Sequence, residues 1–338
     1  MSDTKKKSIK DILTRLNKKK AEEDKIKIAD KQDSKFFQRD VISTGSPYLD
    51  YRINNTIGKG GFVKGAFNLL VAGESTGKTS IALMACSNEQ KKGKYAVYYD
   101  GEASVTDSYL ERFGVDKSKF IYHKGRNLEE MLDDVEEMSK ADDVGIIVLD
   151  SIPIFVSSVV EAKSASDNNM AVEARKWTAR MSIIEGNCNR RGIAIIGISF
   201  YTMDPGAIGD PRTLKRGKWQ KLMSNLTLEM TKKDTIKDEN KKPIGHIIDV
   251  RTKKSKLQAY DAKDAFQINF YYEDGFNKYD EYTQVFVEEG LVLQGGPYYS
   301  FADADGVEVK FQGKTKLIEH FKSNEKDFEL LLNRIGNE

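Results

Sequence analysis

Lys78 and Thr79 lie in the stretch Gly73-Glu74-Ser75-Thr76-Gly77-Lys78-Thr79-Ser80, between an apolar run at 66–72 and a helical pattern at 81–86. A strand–loop–helix with G-x-x-x-x-G-K-[ST] spacing turns successive backbone N–H groups toward one point at a helix N-terminus, where a phosphate is favoured. In that arrangement Lys78 reaches the β- and γ-phosphates of ATP and the Thr79 hydroxyl ligates Mg²⁺. Ala72 stands where the pattern has its first glycine. A methyl is tolerable there if the backbone angles are ordinary. A second element, Ile146-Ile147-Val148-Leu149-Asp150, delivers a carboxylate at the end of an apolar strand. Open α/β sheets bind ligands at that end, so Asp150 is expected to hold Mg²⁺ through water.

A third group of residues suits a polyanion. Residues 200–217 lack periodicity and contain Pro205, Gly206, Gly209, Pro211 and Gly217, so a long mobile loop is expected. Between 202 and 221, Arg212, Lys215, Arg216, Lys218 and Lys221 face only Asp204 and Asp210 in charge count. Cations among glycines suit a site that tracks the backbone of single-stranded DNA, with Arg212, Lys215, Arg216 and Lys218 as the candidate contacts.

Elements must hold these groups in place. Apolar runs at 66–72, 95–99, 144–149 and 193–198 alternate with helical segments, including 128–138, which indicates an α/β fold with a mostly parallel sheet covered on both faces. From about residue 220, segments 222–230, 247–251 and 266–272 read as antiparallel strands added at the sheet edge. Tyr298, Tyr299, Phe301, Phe311, Phe321 and Phe328 supply a small core of their own. In the first forty residues, Ile9, Ile12, Leu13 and Leu16 fall on one helical face of a highly charged segment, a stripe that needs a partner surface. Three parts are therefore expected: an oligomerisation arm at 1–40, a core at 41–273 and a small α+β domain at 274–338.

Composition narrows the classes. The 338 residues are 39% hydrophobic and 31% charged, enough to fold around a sizeable core. The two cysteines exclude a disulfide framework, and the three histidines are not spaced as metal ligands. No apolar run reaches membrane-spanning length and no secretory signal opens the chain, so a cytoplasmic protein is expected. Net charge is +2, unevenly spread toward a basic N-terminus. A nucleic-acid partner remains compatible, since local patches decide binding.

Several motifs in one order resemble a known family. Residues 41–50 (VISTGSPYLD), the GESTGKTS loop, Tyr99-Asp-Gly-Glu102 with Tyr109-Leu-Glu-Arg-Phe-Gly, IIVLDS at 146–151, and Lys254-Ser-Lys256 followed by Phe266-Gln-Ile resemble strand-exchange recombinases of the RecA/UvsX type, here a divergent phage-encoded one. The likeness spans roughly residues 40–300. It implies a RecA-like ATPase core, a small C-terminal domain, ATP and Mg²⁺ as cofactors, and a helical homopolymer on single-stranded DNA that pairs with homologous duplex. Single-strand-binding and loader proteins are its implied partners. It also implies roles: Glu102 orients the attacking water, Tyr109 stacks on adenine, and Lys254 and Lys256 reach the γ-phosphate of the adjacent subunit. One position departs. Where the family has an Asn-Gln pair whose glutamine senses the γ-phosphate, this chain reads Ser199-Phe200-Tyr201. Two other readings stay open on sequence: a hexameric helicase or motor ATPase of the same fold, and a DNA-binding mediator that has lost turnover.

Overall fold

The computed structural model describes residues 8–20, 25–26, 39–56, 58–158, 167–203, 212–214, 219–261 and 263–336. Two units separate, residues 1–39 and 40–338. In the first, Ile9–Asn17 is a helix started by Ser8, whose hydroxyl accepts from the Lys10 N–H at 3.2 Å. None of its residues is buried, and Ile9 and Leu16 are exposed.

The second unit is organised by an eight-stranded sheet. In spatial order its strands are Ala265–Tyr271, Pro243–Ser255, Leu226–Lys237, Phe67–Ala72, Ala194–Ser199, Val144–Asp150, Tyr95–Asp100 and Phe120–Lys124. Those from Leu226–Lys237 to Phe120–Lys124 run parallel, and the first two add antiparallel at one edge. The central strands are buried along their whole length because both faces are covered. On one face Leu70, Ile146, Val148 and Ile196 pack with Ile81, Leu83 and Ala85 of the Lys78–Gln90 helix. On the other, Phe67, Leu69, Val97 and Leu149 pack with Leu128, Met131 and Leu132 of the Leu128–Met138 helix and with Trp177, Met181 and Ile184 of the Asp167–Arg191 helix.

Two expectations need correction. The strand expected at 222–230 begins only at Leu226, because Trp219–Met223 forms a short helix. Trp219 is buried there, stacked on Trp177 with ring centroids 4.9 Å apart. The segment after residue 199, expected to be irregular, opens and closes as a small hairpin, with Tyr201–Met203 paired to Arg212–Leu214. Residues 204–211 and 215–218 lie outside the described residues. Among the described residues, no helix is long and apolar enough to cross a membrane.

The C-terminal part has a core of its own: Phe286, Val292, Phe301, Leu317, Phe321, Phe328 and Leu331. Phe311 and Tyr299 pack at its margin, whereas Tyr298 is exposed. Buried acids join it to the rest. Ser46, the cap of the Pro47–Asn54 helix, donates its hydroxyl to Glu281, which also accepts the Tyr48 N–H at 3.2 Å. Asp50 accepts from Thr44 and Ser43. Burial raises the Glu281 carboxyl to about 8 and that of Asp50 to about 7. Because these folded-state values exceed the unfolded ones, the native state holds the protons more tightly. The associated stability is full below about pH 4 and is lost as pH rises through 7–8. Glu281→Gln keeps an acceptor for Ser46 and Tyr48 without a charge. Its unfolding free energy relative to the parent, read from denaturant titrations, is expected to climb from pH 5 to about pH 8, by a difference on the order of a few kcal/mol. A pH-independent difference contradicts this.

Candidate functional site

The Phe67–Ala72 strand ends in the loop and the Lys78–Gln90 helix begins at its far side. Ala72 is the last residue of the strand, paired with Met230, and it is not among the residues with positive φ. Alanine in the first-glycine position therefore sits in ordinary extended backbone. Gly77 is different. Its φ is +88°, a conformation strained for any residue with a side chain, although a Cβ would meet Phe270 and Ile248 only at ordinary contact distance. Ser75 likewise lies in the left-handed region, at φ 54°. Inside the loop, Thr76 Oγ1 donates to the Gly73 carbonyl at 3.0 Å and Lys78 Nζ to the same carbonyl at 2.8 Å.

Residues 72–80 form one wall of a cleft of about 830 Å³ whose other sides are Glu102, Ser104, Tyr109, Ile154, Phe200 and Tyr201. The loop, Glu102 and Tyr109 thus meet around one space. Asp150 does not line the cleft but is buried directly behind Thr79, whose Oγ1 donates to Asp150 Oδ2 at 2.8 Å; the Tyr98 hydroxyl donates to the same oxygen at 2.6 Å. Burial pushes the Asp150 carboxyl up to about 6, with Glu102 and Asp100 adding to the rise and the Tyr98 and Thr79 hydrogen bonds opposing it. A buried carboxylate beside a hydroxyl supplies hard oxygen donors of the kind Mg²⁺ takes, while among the described residues no group of three or more His, Cys, Asp or Glu side chains is placed to hold a metal.

Asp100 explains why Glu102 stands where it does. At the end of its strand, Asp100 Oδ1 accepts the N–H groups of Glu102 (3.1 Å) and Ala103 (2.7 Å). Its Oδ2 accepts those of Ser104 and Val105, each at 2.9 Å, and the Tyr122 hydroxyl at 2.9 Å. One carboxylate thereby fixes residues 102–105. Ser151 Oγ then donates to Glu102 Oε1 at 2.7 Å, which orients the side chain. Neither Asp100 nor Ser151 was singled out from the sequence. A second acid beside Glu102 at a strand end was the available signal.

The remaining candidates lie elsewhere. Lys254 does not line the cleft; its Nζ donates to the carbonyls of Lys221 (2.8 Å) and Leu222 (2.9 Å). Lys256 is exposed. Arg212 stands on the hairpin strand, bonded to Glu229 Oε1 at 3.0 Å. Lys215, Arg216 and Lys218 lie outside the described residues. Ser199, at the place of the family's sensor pair, is fully buried and its hydroxyl has no hydrogen-bond partner among the described residues.

A phosphate-type loop between a central strand of a mostly parallel sheet and the Lys78–Gln90 helix, with carboxylates at the ends of other parallel strands, defines a nucleotide-binding α/β protein. The RecA N-terminal domain family matches residues 7–277, and the chain belongs to the RecA family. It is 28% identical over 293 residues to the RecA protein of Leptospira meyeri, covering 86% of this chain and 73% of that one. With the RecA protein of Mycoplasma mycoides subsp. mycoides SC it shares 29% identity over 297 residues, 88% of this chain and 83% of the relative. The fold is similar to that of the RadB recombinase, with a TM-score of 0.51 at 16% identity, over 70% of this chain and 98% of that structure. The chain is thus a RecA-type recombinase, and these relatives do not favour a helicase-type motor or a non-catalytic mediator.

Proposed function

We propose that the chain is a Mg²⁺-requiring ATPase stimulated by single-stranded DNA. It polymerises on that strand with ATP between subunits and pairs it with homologous duplex, in the cytoplasm of a bacterium or phage-infected host. The observation that carries the reading is the single cleft shared by the 72–80 loop, Glu102 and Tyr109, with Asp150 bonded to Thr79 of that loop. In it the loop N–H groups and Lys78 bind the phosphates, and Tyr109 takes the base. Glu102 holds a water and accepts its proton as the oxygen attacks the γ-phosphorus, while the bond to the β–γ bridging oxygen breaks and ADP leaves. Thr79 and Asp150 would hold Mg²⁺, which would supply positive charge to the phosphates. Lys254 and Lys256 act on the γ-phosphate of the adjacent subunit. The apolar stripe of the Ile9–Asn17 helix, on which Ile9 and Leu16 are exposed, docks on a neighbour. Single-strand-binding and loader proteins are the further partners.

The test is ATP hydrolysis with and without single-stranded DNA. A marked stimulation is expected, and equal rates sink the reading. Within it, Glu102→Gln is expected to bind ATP normally and to hydrolyse it about 10²–10⁴-fold more slowly. Loss of nucleotide binding in this variant makes Glu102 a structural residue instead.

A further inference from the structure

Tyr201 belongs to two cavities at once. Its side chain lines the nucleotide cleft and also an adjacent pocket of about 450 Å³ formed with Arg212, Lys221, Thr227, Glu229, Lys253, Lys254 and Tyr260. Four of those residues are cations, and the acid at their centre is Glu229, only 7% exposed at its side chain. Glu229 stands beside the strand that leads into the phosphate loop, in register with Val71. Its strand neighbours Leu228 and Met230 enter the core, so alternation turns Glu229 to the opposite face.

Glu229 ties the two cavities together. The Tyr201 hydroxyl donates to Glu229 Oε2 at 3.0 Å and Arg212 donates to Oε1 at 3.0 Å, with Lys253 Nζ 3.8 Å from Oε2. The Arg212 guanidinium and the Lys221 ammonium also lie over the Tyr201 ring, 5.1 Å and 5.5 Å from its centroid. Arg212 gives one guanidinium nitrogen to Glu229 while its side chain is 39% exposed, so Glu229 and a DNA phosphate compete for the same cation. A group entering the cleft meets the same tyrosine that anchors Glu229.

We propose that Tyr201, Glu229 and Arg212 form the relay by which nucleotide in the cleft sets the availability of Arg212 to single-stranded DNA. Glu229 holds the arginine when the cleft is empty, and displacement of Tyr201 by nucleotide weakens that hold. Glu229 is a positioning residue, since it acts on DNA through Arg212. Of its three residues, Tyr201 falls in the segment where the family's glutamine sensor is absent, and the relay rests on the reading of the cleft as the ATP site and of Arg212 as a DNA contact.

The test is the affinity of the full chain for a fluorescent single-stranded oligonucleotide, with Mg²⁺ and with or without a non-hydrolysable ATP analogue. For the unaltered protein the ratio of the two affinities is expected to be about tenfold or more. Glu229→Gln keeps the side chain's shape and removes its charge. Its affinity without nucleotide should rise, and its ratio should fall toward one. Tyr201→Phe, which removes only the hydroxyl, should lower the ratio in the same direction, and Glu229→Asp should restore part of it. By reciprocity, DNA should lose its effect on analogue affinity by the same factor. A ratio in Glu229→Gln equal to that of the parent, in protein with an unchanged melting profile, overturns the relay. So does a uniform loss of DNA affinity in both nucleotide states, which marks Glu229 as structural. These outcomes are separate from failure of the functional reading, which appears as absent DNA stimulation in the unaltered protein.

Discussion

Lys78→Ala is expected to abolish nucleotide-dependent binding of single-stranded DNA and to cut ATP hydrolysis at least ~100-fold. The ammonium is the one cation of the 72–80 loop and lies within the cleft, 2.8 Å from the Gly73 carbonyl. Backbone N–H groups alone still attract a phosphate at the helix N-terminus. They do not follow the charge that moves onto the γ-phosphate oxygens as the bond to the leaving group lengthens. Loss of one preorganised donor to such charge typically costs about 10²–10³ in turnover. Filter binding and a phosphate-release assay measure both effects. Near-normal turnover removes Lys78 from the site.

The second large effect concerns Lys254 and Lys256. Burial and the neighbouring Lys256 lower the Lys254 pKa, and Glu185 opposes them. Lys254 is held on the carbonyl end of the Trp219–Met223 helix, away from its own chain's cleft. Replacing both lysines with alanine is therefore expected to leave ATP binding by the isolated chain intact, since Lys78 and Thr79 act within it. DNA-stimulated hydrolysis should fall at least ~100-fold, because two charge-assisted contacts disappear where charge shifts in the transition state. Mixing this double variant with Glu102→Gln protein separates cis from trans. Each chain supplies what the other lacks, so mixed assemblies should contain some complete interfaces and regain part of the activity. Co-assembly without any recovery makes a trans role untenable.

How far the sequence carried these conclusions depended on the range of each interaction. The loop was legible because its chemistry is local: strand, glycines, lysine and hydroxyl are neighbours in the chain. Asp150 was legible because an apolar strand ending in an acid is a one-dimensional pattern. Asp100 left no such trace, since most of its partners are backbone N–H groups, which no residue type announces. The Phe120–Lys124 strand was missed because it is an edge strand with little burial to print an apolar period. The hairpin at Tyr201–Met203 is too short to show alternation. The helix at Trp219–Met223 owes its place to Trp219 packing on Trp177 and Phe67, contacts made across the fold. Glu229 meets Arg212 and Tyr201 for the same reason: the sheet brings together residues that the chain keeps apart.

The assignment of a DNA-dependent polymerising ATPase is tested most directly by electron microscopy of the full chain with single-stranded DNA, Mg²⁺ and a non-hydrolysable ATP analogue. Continuous helical filaments that follow the DNA, and that fail to form without nucleotide, are expected. Closed rings, or isolated chains under conditions where nucleotide is bound, contradict it.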